Sequence, residues 1–361
     1  MIIRLLELHE RLPRMGLDGL LFNTSEVLTS LNVRYLSGFS GSDAAILLTR
    51  NERHLFTDGR YKTQIKEETS GFAIHVGRNK LDGLARELRR AGVRKLGVES
   101  PRITQQFASE LMRRARQVQL VPLKRDFLEN LRIRKTVQEK VSIEKAASIA
   151  SESCSELIAR GLAGKKESEV AAELELLFRR KGASGIAFDT IVASGPRSAL
   201  PHGAASDKVI QGGELVVLDY GCRFQGYRSD ETVTCIIGRP TAEQSTIHRA
   251  VYDAHMKALD AVREGMHVRR LDQIARQSID EAGYGKFFIH SLGHGLGLET
   301  HEPPYLSPRG RGMLKEGMVF TIEPGIYIEG IGGVRLESLV YLSSSGPQLL
   351  SRMTKDLISA G

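Results

Sequence analysis

The stretch LVVLDYGCRFQGYRSDETVTC, residues 215–235, decides how the second half of this chain is read. Two apolar, β-branched runs flank a polar, glycine-containing middle, the pattern of two strands joined by a turn. Asp219 and Asp230 lie symmetrically about a turn centred near Phe224–Gln225. That register sets them opposite each other, with Cβ atoms roughly 4.5–5.5 Å apart. Like charges facing across a ladder are destabilising unless something neutralises them, and a divalent cation would do so. An offset register would leave both as ordinary polar edge positions. The pair alone does not choose between the two.

Three further segments bear on the choice. HSLGHGLGLETHE (290–302) crowds His290, His294 and His301 together, in a chain with 10 His. Imidazole is a common metal ligand and a proton carrier near neutral pH. His290 and His294 have the i,i+4 spacing of a helical zinc site, but HSLGH lacks the glutamate of HExxH, and its glycines argue against a helix. TIEPGIYIEG (321–330) puts Glu323 at the end of an apolar strand. GVRLESLVYL (333–342) alternates so that Arg335 and Glu337 share one face. A carboxylate in such a run is costly unless paired or metal-bound; the alternative is an Arg335–Glu337 pair on a solvated face. SALPHGAAS (198–206) places His202 in a loop. Four carboxylates with one to three histidines form an oxygen-rich set. It suits two harder divalent ions such as Mn²⁺ better than a closed structural Zn²⁺ site.

Around these segments, IAFDTIVAS, ELVVLDYG, ETVTCIIG and MVFTIEPG read as short strands, and two helices lie near 243–264 and 271–282. That grouping indicates an α+β domain with a mainly antiparallel sheet. The first ~125 residues alternate strands (DGLLF, AAILLT, RHLFTD, KLGVE) with amphipathic helices, an α/β pattern. MIIRLLELHERLPRMG reads as an amphipathic helix, because Glu7 and Glu10 interrupt what would be a signal-peptide core. LDGLARELRRAG and residues 168–181 are helices with Gly92 and Gly182 as stops. Residues 136–162 form a long helix connecting the halves.

The chain has 361 residues with 51 Lys+Arg, 43 Asp+Glu and 41% hydrophobic residues. These values exclude disorder, collagen and coiled coil, and the length suggests two domains. Three cysteines fit a reducing compartment, so a cytoplasmic location is expected. No apolar run reaches the ~18–20 residues of a membrane span. Residues 1–135 carry 25 Lys+Arg against 15 Asp+Glu, and residues 136–361 carry 26 against 28. The basic excess reads as solvated helix faces rather than a nucleic-acid surface, because no aromatic residues interleave with it.

The ordered series PHG, LDYG, GYRSDET, GHGLGLETHEPP, TIEPG and GVRLES resembles the M24 family of pita-bread metallopeptidases, in its Xaa-Pro aminopeptidase/prolidase branch. NVRYLSGFSGSDAAILLT and FTDGRYKTQ resemble that branch's creatinase-like N-terminal domain, and LRIRKTVQE its interdomain junction. The resemblance implies a creatinase-like domain over residues 1–130 and a pita-bread catalytic domain over 131–361. It makes Asp219, Asp230, His294, Glu323 and Glu337 the ligands of two divalent ions, Mn²⁺ first and Co²⁺ or Zn²⁺ as alternatives. His202, His290 and His301 would line the substrate pocket and assist proton movement. Glu323 would be the general base, and Arg335 would orient the Glu337 strand near the substrate. The implied activity is an Xaa-Pro aminopeptidase: a metal-bridging hydroxide cleaves the bond before a proline in second position. The alternatives are an Xaa-Pro dipeptidase (prolidase) and a non-peptidase pita-bread protein. A homodimer is also implied, with neither nucleic acid nor membrane as partner. Two positions depart from the branch: Val233 stands where Arg is common, and Ser338 where an acidic residue is common.

Overall fold

Leu5, Leu8 and Leu12 are spaced three to four apart, and the segment Ile2–Arg14 is a helix that buries all three. The computed structural model describes residues 2–124 and 127–361. The chain divides into two compact units, Met1–Leu131 and Arg132–Gly361.

The first unit is built on a six-stranded sheet. Its order is Ala73–Val76, Arg53–Thr57, Ala44–Thr49, Gly19–Thr24, Lys95–Val98, Gln119–Pro122. Every strand runs parallel except Ala44–Thr49, which is antiparallel to both neighbours. Asn79 caps the helix Lys80–Arg90 through Leu81 N–H, and Thr104 caps Gln105–Arg114 through Phe107 N–H. These helices bury Leu84, Leu88 and Leu111 against Leu47, Phe56 and Leu96. Arg89 and Arg90, and Arg113 and Arg114, fall in the last turns, where cations complement the helix dipole. Arg90 also pairs with Glu52 and Glu87, and Arg114 with Asp82 and Glu110.

The second unit begins with the helix Val137–Ala159, started by a reciprocal capping box between Thr136 and Glu139. The next helix is Glu167–Arg180, followed by Gly182 at φ 96°. A four-stranded sheet orders Ile358–Ser359, Glu231–Ile236, Leu215–Tyr220 and Ile191–Ser194. A five-stranded antiparallel sheet orders Glu302–Leu306, Gly293–Gly295, Val319–Ile322, Ser338–Ser343 and Gly346–Leu349. The hairpin of Gly325–Ile328 with Gly332–Arg335 stands beside them. The helices Ala242–Asp260 and Val268–Glu281 pack Val251, Leu271 and Ala275 against Phe320, Ile326 and Val334.

Three local expectations change. The turn in 215–235 is centred on Gln225–Gly226, not Phe224–Gln225. Both residues have positive φ (50° and 87°), as a two-residue type I′ turn requires. The register moves accordingly, and Asp219 faces Thr232 instead of Asp230. Because the displacement is two residues, Asp230 stays on the same face as Asp219, one step further along the strand. The run IAFDTIVAS is not one strand: it breaks into Gly185–Ile186 and Ile191–Ser194. GVRLESLVYL likewise divides into Gly332–Arg335 and Ser338–Ser343, which belong to different sheets. Between them Glu337 N–H donates to the Thr232 carbonyl. Arg335 and Glu337 are only 3% and 2% exposed, which removes the alternative of an ion pair on a solvated face.

Glu167 shows how the loop carrying His202 is held. Its fully buried carboxylate accepts hydrogen bonds from the backbone and hydroxyl of Ser194 and of Ser206, and from Arg197 Nε. Burial pushes the Glu167 carboxyl up, but the bonds from Ser206, Ser194 and Arg197 outweigh it and hold the carboxyl below its ordinary value of 4.5. A depressed folded pKa stabilises above the unfolded value, and the contribution is lost as pH falls through the folded value. Glu167→Gln should therefore cost about 1.5–3 kcal/mol at pH 7. Denaturant titrations of both proteins should show this gap closing below about pH 4.

Candidate metal centre

The side chains singled out in the sequence come from separate elements. Asp219 is on Leu215–Tyr220, and Asp230 immediately precedes Glu231–Ile236. His294 is the middle residue of Gly293–Gly295; this extended strand replaces the helix that the His290/His294 spacing would have needed. Glu323 follows Val319–Ile322, and Glu337 occupies the break before Ser338–Ser343. His202, His290 and His301 come from loops, and Arg335 ends a hairpin strand. All nine line one cavity of about 630 Å³.

At its floor, Asp230, His294 and Glu337 each offer a ligand atom within 4.8 Å of the others. His294 Nε2 lies 3.3 Å from Glu323 Oε1 and 3.8 Å from Asp230 Oδ2. His294 Nδ1 is 3.1 Å from the Gly295 carbonyl. Donating there keeps the proton on Nδ1 and turns the Nε2 lone pair toward the carboxylates. The His301 ring lies against His294, with centroids 4.1 Å apart.

Arg335 organises the opposite wall. Nη2 donates to Asp219 Oδ2 at 2.6 Å, and Nη1 donates to the Tyr327 hydroxyl at 2.9 Å and to the Pro201 carbonyl at 3.1 Å. Its Nε donates to Thr232 Oγ1, and the Thr232 hydroxyl donates to Glu337 Oε2 at 2.7 Å. Arg335 thus reaches Glu337 through Thr232 while holding Asp219 directly. With its oxygen accepting from Arg335, the Tyr327 hydroxyl donates to His290 Nε2 at 2.9 Å. His290 Nδ1–H then donates to the Ser291 carbonyl. Both ring nitrogens of His290 are therefore engaged within the protein.

The electrostatics follow from four carboxylates sharing a buried space with one guanidinium. Burial, reinforced by Glu337 and Asp219, pushes the Asp230 carboxyl well above the usual range. Burial with the Glu323 and Asp219 charges does the same to Glu337. Glu323 is pushed up to about 8 by burial and by Asp219, against the pull of Arg335. Burial and the neighbouring His301 lower His294 to about 3, so its imidazole is neutral. A cation among these donors would relieve the repulsion. Asp219 Oδ1 is buried without a hydrogen-bond partner, as a coordinating oxygen would be. Carboxylate oxygens with a single neutral imidazole suit a hard divalent ion. The residues present therefore fit divalent metal.

Thr232, Thr321 and Tyr327 are missing from the sequence reading. Thr321 donates to Glu323 Oε1 at 3.1 Å. A lone hydroxyl in an apolar strand carries little signal, although Tyr327 does alternate with Gly325 on the strand that follows Glu323. Of the two departures, Val233 is buried in an apolar cluster with Leu174 and Leu218 on the reverse of its strand. Ser338 is buried at the strand start, paired with Ile322.

Residues 141–344 match metallopeptidase family M24, and residues 4–134 match the creatinase/prolidase N-terminal domain. An Xaa-Pro dipeptidase of Pyrococcus horikoshii is 41% identical over 327 residues, covering 91% of this chain and 92% of that relative. An Xaa-Pro dipeptidase structure from Bacillus anthracis superposes with a TM-score of 0.94 at 36% identity, covering 99% of each chain. An X-Pro aminopeptidase from Thermotoga maritima superposes with a TM-score of 0.91 at 38% identity, covering 97% of this chain and 99% of that one.

Proposed function

This chain belongs to metallopeptidase family M24, and from that premise we propose that it is an Xaa-Pro dipeptidase that hydrolyses the bond preceding proline. The observation that carries the hydrolytic reading is the convergence of Asp230, His294 and Glu337. The dipeptide preference draws its support from the relatives that bear that name.

Asp219, Asp230, His294, Glu323 and Glu337 are the proposed ligands of two divalent ions, Mn²⁺ foremost. Bound there, such ions supply Lewis acidity toward the substrate carbonyl and make water more acidic. Glu323, which lines the cavity 3.3 Å from His294 Nε2, would take the proton of the attacking water. Asp219, held by Arg335, receives the free amine of the first residue. His202 and His301 face the cavity and stabilise the carbonyl oxygen as charge develops on it. His290 acts through Tyr327, which it holds against Arg335. A homodimer in the cytoplasm completes the proposal. Among the described residues no helix is long and apolar enough to cross a membrane.

One observation favours the aminopeptidase reading instead. Arg335 is the one Lys or Arg among the described lining residues, and Asp219, Tyr327 and Pro201 occupy its guanidinium. Among the described residues no second Lys or Arg lines the cavity to receive a dipeptide's carboxylate. Metal-stripped protein reloaded with Mn²⁺, Co²⁺ or Zn²⁺ and assayed on Leu-Pro, Leu-Pro-Gly, Leu-Ala and N-acetyl-Leu-Pro separates the readings. A dipeptidase cleaves Leu-Pro at least about tenfold faster than Leu-Pro-Gly, a difference of about 1.4 kcal/mol in transition-state binding. Faster cleavage of the tripeptide would establish the aminopeptidase. Equal cleavage of Leu-Ala would remove the proline requirement.

A further inference from the structure

The cavity has five acidic lining residues, and four of them belong to the proposed metal set. The fifth, Asp189, is exposed, and among the described residues its carboxylate takes part in no hydrogen bond or ion pair. Two residues beyond it, Ile191 lies directly across the ladder from Asp219. Asp189 itself lies in the break before the strand Ile191–Ser194, and it lines the same cavity as Ile191 and Asp219. Phe188 and Ile191 give this part of the cavity apolar walls beside the carboxylate.

We infer that Asp189 selects a cationic side chain, lysine or arginine, on the residue that precedes proline. The inference rests on the proposed Xaa-Pro peptidase reading and sharpens its substrate class. The side chain of the first residue leaves the same carbon as the amine directed to Asp219, so it projects toward the neighbouring wall. A lysine or arginine lays its methylene stem along Phe188 and Ile191 while its charged head meets Asp189. Low-dielectric walls strengthen such a pair relative to one in bulk water. A glutamate at the same position meets a like charge and is disfavoured. Arg335 does not compensate Asp189, because its guanidinium is held by Asp219, Tyr327 and Pro201.

The test compares kcat/KM for Lys-Pro, Arg-Pro, Leu-Pro and Glu-Pro in the Mn²⁺-loaded protein and in Asp189→Asn and Asp189→Lys. Because ratios are read within each protein, losses of folding or metal loading cancel. The wild-type ratio of Lys-Pro to Leu-Pro should be about fivefold, the size of a partly exposed ion pair, and should shrink as salt is raised. It should fall to about one in Asp189→Asn, and Asp189→Lys should favour Glu-Pro over Lys-Pro. An unchanged ratio in Asp189→Asn overturns the inference, as does an equal loss on every substrate, which would place Asp189 at the amine. If the wild type cleaves no Xaa-Pro substrate, the peptidase reading fails and the inference with it. Cleavage of Leu-Pro and Lys-Pro at equal rates removes the inference alone.

Discussion

Asp230→Asn is expected to abolish Xaa-Pro hydrolysis, with kcat/KM reduced by at least about a thousandfold, or roughly 4 kcal/mol of transition-state stabilisation. Asp230 is 4% exposed and meets both His294 and Glu337 at the cavity floor. The amide keeps the shape of the side chain but removes one negative charge, so the metal set loses its central anionic donor. Metal content by elemental analysis should fall well below that of the wild type after Mn²⁺ loading and desalting. Stability gives a second, independent readout. Without metal, Asp230 is a buried carboxyl crowded by Glu337 and Asp219, an unfavourable arrangement that the amide relieves. Chelator-treated Asp230→Asn should therefore unfold at or above the temperature of chelator-treated wild type. It should also lack the rise in Tm expected of the wild type when Mn²⁺ is added, which follows by mass action. Full turnover in the variant, or an undiminished Mn²⁺-dependent rise in Tm, would remove Asp230 from the metal set.

The second large effect concerns stability. Glu302 is 1% exposed, and its two oxygens accept from Lys135 Nζ at 2.6 Å and Arg132 Nη2 at 2.9 Å. Lys135 is itself buried, and its ammonium also donates to the Arg132 carbonyl. Glu302→Ala leaves that ammonium buried without a counter-charge, a loss of about 3–5 kcal/mol. For a unit of this size the expected fall in Tm is about 6–20 °C. By contrast, Glu156 pairs with Arg160 and Lys181 at the surface, so Glu156→Ala should cost less than about 1 kcal/mol. Urea unfolding of the Mn²⁺-saturated proteins compares the two. The consequences extend to the site, because the strand Glu302–Leu306 pairs with the strand carrying His294, and His301 directly precedes it. Mn²⁺ affinity of the Glu302 variant should weaken along with its stability. Equal urea midpoints for the two variants would show that the buried triad contributes nothing beyond an exposed pair.

Much of this molecule is legible from local pattern. Helix boundaries at Gly92 and Gly182, the amphipathic first helix and the strands at 215–220 and 231–236 all rest on interactions that close within a turn or alternate every second residue. The metal-site candidates were legible for a different reason. A carboxylate or imidazole inside an apolar or glycine-rich run needs an explanation wherever it ends up. Order along the chain then tied those positions to the family. Where reading failed, a single backbone parameter or a distant contact was responsible. Positive φ at Gln225 and Gly226 moved the ladder by two residues and placed Thr232, not Asp230, across from Asp219. Relatives named Xaa-Pro dipeptidases support the dipeptidase rather than the aminopeptidase that the motifs imply, and no local stretch of sequence distinguishes the two.

By itself, then, the sequence determined most of the elements and the two-part organisation of the fold, because periodicity is a property of neighbouring residues; the five side chains proposed for metal came from the resemblance of its ordered motifs to the M24 family. Only the tertiary structure decided which residues hold those five in place. Thr232 meets Glu337 across 105 positions of chain, Arg335 reaches Asp219 across 116, and Glu302 joins Lys135 across 167. Contacts of that kind depend on strand register and on exclusion of water, and neither is encoded in any local stretch.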